Sequence, residues 1–131
     1  MRRPLATVIA TLLVGVIAAC GGGTPAKTVT LETVGDSGVS GTATLTDAGG
    51  GQTKVVITAE DNLNPDMPTF IEKGTCAARV KEPGFTLSDI RDGASTSTIA
   101  VSMADLTATP YHIQVHSGPE DFSLSACGDI K

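Results

Sequence analysis

The sequence predicts an all-β domain, an antiparallel β-sandwich or flattened barrel. Seven or eight short runs rich in β-branched residues alternate apolar and polar side chains. Glycine-rich turns separate these runs at intervals of about 8–12 residues, and no segment keeps a helical period over three turns. The chain has 131 residues, enough for one small domain and too few for two cores. Its formal charge of -5 argues against a partner recognised through phosphates, so no nucleic acid is expected. A hydrophobic content of 40% excludes a fully disordered chain.

The first segment lies outside that domain. Met1, Arg2 and Arg3 form a basic start, and residues 5–19 are an apolar run. As a helix this run reaches about 22 Å, short of the roughly 30 Å hydrocarbon core, which suits a secretory signal rather than a spanning helix. Ile17-Ala18-Ala19-Cys20, followed by Gly21-Gly22-Gly23, resembles the bacterial lipobox. The resemblance implies that Cys20 carries diacylglycerol and becomes the first mature residue. Residues 1–19 are then the lipoprotein signal peptide, 20–27 the lipidated cysteine and a flexible tether, and 28–131 the folded domain. Removing 1–19 leaves 112 residues and, with Arg2 and Arg3 gone, takes the charge from -5 to -7. The expected location is the extracytoplasmic face of the cell membrane, held through lipid. An acidic domain is repelled by anionic headgroups and should stand off the bilayer.

Within the domain, residues 27–34 alternate, with Val29 and Leu31 on one face. Gly35-Asp36-Ser37-Gly38 is a turn, 39–45 alternates again, and Gly49-Gly50-Gly51 leads into a third strand over 54–59. Pro65 and Pro68 keep 61–68 out of a sheet interior. Strands are expected over 69–73, 85–90, 96–101, 111–116 and 124–130, with a loop at 76–83 and one helical turn at 103–106.

Four motifs invite chemistry. Gly35-Asp36-Ser37-Gly38 has the letters of a serine-protease nucleophile turn, but no histidine precedes it and the chain is too short for two barrels. Gly49-Gly50-Gly51 joins strands instead of opening a helix, so it is no phosphate loop. Asp61, Asn62, Asn64 and Asp66 crowd oxygen ligands, but the spacing misses the calcium-loop pattern and a solvated turn explains it better. His112 and His116 share one face of a strand, yet lie roughly 13 Å apart along it, too far to chelate one ion without a bulge.

Several segments together resemble the copper/zinc superoxide dismutase superfamily. They are Val39-x-Gly41, Gly74-Thr75-Cys76, Val115-His116 followed by Glu120-Asp121, and the ending Ala126-Cys127-Gly128-Asp129-Ile130. Their order is that of the family, and they span about 29–130. The resemblance implies an eight-stranded Greek-key sandwich and a Cys76–Cys127 disulfide. An exported domain whose Cys20 carries lipid has two cysteines left in an oxidising setting, which agrees with it.

The catalytic residues depart from the family. Phe70-Ile71-Glu72 stands where its His-x-His copper pair belongs, the histidine-bearing zinc loop has no counterpart between Cys76 and Ile90, and Leu124 replaces its substrate-attracting arginine. Of the copper ligands, only His116 is matched. Dismutation needs a redox ion held by several imidazoles and a field that attracts an anion. The expected function is therefore non-catalytic: a superoxide dismutase-like domain with a binding or structural role at the envelope, toward an unknown envelope protein or ligand and without a cofactor. The competing reading is a copper-binding protein, for storage, delivery or residual dismutation, with His116, His112 and Glu72 as ligands.

Overall fold

Residues 25–60, 66–80 and 82–131 are described in the computed structural model of the chain. The elements in order are β1 (Lys27–Thr33), β2 (Ser40–Gly49), β3 (Gln52–Glu60), β4 (Thr69–Lys73), β5 (Phe85–Thr86), β6 (Ala94–Ile99), α1 (Met103–Ala108), β7 (Tyr111–His116) and β8 (Leu124–Ile130). The expected all-β architecture is observed. The expected signal peptide, Cys20, and Asp61, Asn62 and Asn64 lie outside the described residues. Asp66, the remaining member of that oxygen-rich run, pairs with Arg91 at 2.7 Å.

The strands form one antiparallel sheet in the order β5-β4-β7-β8-β1-β2-β3-β6. Its two halves meet where Glu32 and Thr33 pair with Cys127 and Ala126. At the opposite seam the Ser88 N–H donates to Ser97 Oγ at 2.8 Å, so the sheet nearly closes into a flattened barrel. The β3–β4 and β6–β7 connections pass between strands that are not neighbours, which is Greek-key connectivity. Alternation has the physical outcome it should: Val29, Leu31, Ala43, Leu45, Val55 and Ile57 fill the interior, and the threonines between them face outward.

Four boundaries differ from expectation. The β2–β3 hairpin zips further, to Gly49 and Gln52, because Gly49, Gly50 and Gly51 all adopt positive φ and turn the chain within three residues. The strand expected over 85–90 pairs only at Phe85 and Thr86. Beyond them Ile90 and Met67 exchange both backbone hydrogen bonds, and this bridge buries the two side chains without a continuous ladder. β6 begins at Ala94, two residues early, because Asp92 (φ 51°) and Gly93 (φ 79°) close a tight turn between Arg91 and Ala94. The helical turn extends to Ala108, capped where Ser102 Oγ accepts from the Asp105 N–H.

Cys76 and Cys127 form the expected disulfide, with Cα atoms 5.9 Å apart and a separation of 51 residues in sequence. It ties the segment after β4 to the middle of β8. Asp129 reinforces the tie, its carboxylate accepting from the Cys76 N–H at 2.7 Å.

Candidate functional site

The outer face of β4 and β7 carries every ligand candidate. On β7, Ile113 and Val115 point into the core, which sends His112, Gln114 and His116 to the other side. On β4, Ile71 points inward and Phe70 and Glu72 outward. The register sets Glu72 opposite His112 and Phe70 opposite Gln114.

This face would be open to water on a bare sheet, but here two segments cover it. Residues 74–80 fold back over it from the end of β4. Gly74 starts the turn at φ 90°, its N–H bonds the Pro110 carbonyl at 2.9 Å, and a bridge pairs it with Arg79. A Cβ at residue 74 would stand 2.4 Å from the Ala78 carbonyl oxygen, so the close approach requires glycine. From the other end, the 117–123 loop lays Phe122 beside His116, ring centroids 5.5 Å apart. Asp121 shapes that loop by accepting from the Ser123 hydroxyl at 2.6 Å and its N–H at 2.9 Å. Both bonds hold the Asp121 carboxyl below its usual range, the hydroxyl foremost. At the rim, Lys73 donates to Glu82 at 2.7 Å, and that hydrogen bond raises the ammonium above its ordinary value.

Under this cover the polar groups satisfy one another. His112 is fully buried, its Nδ1–H donating to the Gly74 carbonyl at 3.1 Å. That leaves Nε2 as an acceptor, 2.6 Å from Gln114 Nε2. The same Gln114 nitrogen donates to Glu72 Oε2 at 3.0 Å. Gln114 Oε1 lies 3.2 Å from His116 Nε2, and His116 Nδ1 lies 2.9 Å from the Phe122 carbonyl. Phe70 meets the His116 ring edge-on at 5.6 Å.

Copper or zinc would need imidazole lone pairs turned toward a shared point about 2 Å away. The His112 lone pair accepts from an amide, and both His116 nitrogens face oxygens. Among the described residues, no three His, Cys, Asp or Glu side chains are grouped closely enough to hold an ion. The donor set as arranged therefore does not fit the copper implied by the resemblance. Glu72, His112 and His116 are brought together, but around an amide. Gln114 was missed because a glutamine carries no charge and signals no chemistry alone. The available clue was the His-x-Gln-x-His alternation on one strand face.

The other motifs find structural uses. Ser37 Oγ donates to the Ser125 carbonyl at 2.6 Å, and Gly35 and Gly38 take positive φ, so 35–38 is a turn pinned to β8. A depression of about 540 Å3 lies beside the polar chain, lined by Glu72, Ala77, Ala78, Arg79, Val80 and Gln114. Set against protein-family models, curated proteins and solved structures, the chain matches no family model, no curated protein and no solved structure.

Proposed function

We propose that the chain is a lipid-anchored, extracytoplasmic domain of the superoxide dismutase-like type that lacks dismutase activity and serves a binding or structural role at the cell envelope. The observation that carries this reading is the closed hydrogen-bond chain Glu72–Gln114–His112 with His116 on its far side. Dismutation needs a redox metal with open access and an attractive field for an anion. Here the imidazoles already have partners, Phe70 takes the place of a ligand, and the mature chain carries a charge of -7. The Greek-key barrel and the Cys76–Cys127 tie support the family reading; Ile17-Ala18-Ala19-Cys20 supports the anchor.

One preparation tests both halves. The chain and its Cys20→Ala variant are fractionated, purified, incubated with Cu(II), freed of excess metal and assayed for copper and superoxide removal. The wild-type chain should partition with membranes, and Cys20→Ala should be released or left unprocessed. Copper should stay well below one ion per chain, with no turnover beyond that of the same copper free in buffer. Unchanged fractionation overturns the anchor; stoichiometric copper with rapid turnover overturns the non-catalytic reading.

A further inference from the structure

The charges of the domain are divided unevenly between its two ends. Antiparallel pairing gathers the turn after β1, the end of β3, the turn before β6 and the β7–β8 loop at one end. Ser40 pairs there with Glu60, Thr58 with Ala94 and His116 with Leu124. Asp36, Glu60, Asp92, Glu120 and Asp121 are all exposed at this end. Among the described residues its only cation is Arg91, which is paired with Asp66. The opposite end is built from the start of β1, the end of β8 and α1. Pro25, Ala26 and Lys27 line a depression with Met103, Ala104 and Thr107. Lys131 lines the next one with Thr107, Ala108 and Tyr111. Asp47, Glu82 and Asp129 at this end are held by Gly49, Lys73 and Cys76, and Asp105 is the one carboxylate on the helix. The excess negative charge thus gathers at one end, and the end where the tether enters is close to balanced.

Covalent geometry decides which end meets the membrane. Residues 20–24 reach at most about 18 Å, whereas β2, with ten residues, spans about 30 Å from one end of the domain to the other. A tether shorter than the domain cannot let the acidic end turn to the bilayer. The Debye length at physiological salt is about 8 Å, so charges about 30 Å from the headgroups are screened from them. Lys27 and Lys131 are at the near end and are not. Net charge alone predicts a domain that stands off the bilayer; its distribution reverses that. We infer that α1, with Lys27 and Lys131 beside it, is a seat on the anionic phospholipid headgroups of the bilayer, and that it holds the domain upright with its acidic end outward. The inference rests on the Cys20 anchor of the reading above. The exposed residues of the seat are short, Pro25, Ala26, Ala104, Thr107 and Ala108, so contact stays in the headgroup layer. Each lysine there is worth about fivefold in occupancy.

The test uses the acylated chain, purified in detergent and reconstituted into vesicles. One set is phosphatidylcholine alone, the other an equimolar mixture with phosphatidylglycerol. Flotation reads the anchor, and amide exchange reads the seat. The chain should float with both vesicles. On the anionic set, amides of residues 104–108 should exchange about tenfold more slowly than on the neutral set, with 117–123 unchanged. Lys27→Glu with Lys131→Glu should remove that difference, whereas Glu60→Gln with Glu120→Gln should keep it. A chain that floats with neither vesicle overturns the anchor, and the seat with it. A chain that floats with both but exchanges equally at 104–108 overturns the seat alone. So does a slowing that spreads equally to 117–123, or one that survives the lysine changes in a variant with native far-UV circular dichroism.

Discussion

The two halves of the sheet use the same strand pattern to different ends. In β1, β2, β3 and β6 one face is core and the other is water, and burial follows the alternation of the sequence. In β7 the four central residues are buried on both faces, because 74–80 and 117–123 roof the outer side. The open half is held by ladders and aliphatic packing. The roofed half also depends on a disulfide, a glycine turn and a chain of polar contacts. Polar residues between strands thus mean solvent on one side of the molecule and an internal network on the other.

The largest expected effect comes from removing what holds the roof. Replacing Cys76 and Cys127 together with alanine should cost about 4 kcal/mol, from the loop-closure entropy of a 51-residue cross-link. Urea denaturation reads the total. Amide exchange should show 74–80 and β7 opening before the β2–β3 hairpin, and uniform loss of protection would erase the distinction between halves.

A smaller effect separates the two outward faces. Gln114→Leu preserves bulk but leaves Glu72 and His112 without their amide donor, at a cost of about 1–3 kcal/mol. Thr42→Ala, on the exposed face of β2, should stay within about 0.5 kcal/mol. Equal midpoints for the two variants would mean that the roofed network contributes nothing.

The smallest effect is local and depends on pH. Asp121 has a lowered carboxyl in the fold, so its contribution is complete above the ordinary aspartate value and is lost as pH falls through the folded one. On acidification through that window, exchange of the Ser123 amide should speed up while the β1–β3 meander keeps its protection. Simultaneous loosening of both would show that the 117–123 loop is not an independent roof element.

The legible parts of the molecule were those whose cause is local. Alternation at Val29-x-Leu31 located a strand and its inner face, the β-branched run over 54–59 located another strand, and Gly35, Gly38 and the glycines at 49–51 located turns. The segment 85–90 was misjudged because its later residues are held by the Met67–Ile90 bridge, a pairing with a distant partner. At the site, Glu72, His112 and His116 were legible as candidates. Their relation was not, since it passes through Gln114.

By itself the sequence determined the strand periodicity, the turn positions and the presence of two cysteines and two histidines within the domain. These depend on backbone sterics and side-chain alternation, which act over a few residues. Only the tertiary structure decided that Glu72 stands opposite His112, that 74–80 closes over both, and that one amide lies between groups that could ligate an ion. Register and cover arise when strands far apart in the chain bury a common core, and no short window contains that choice.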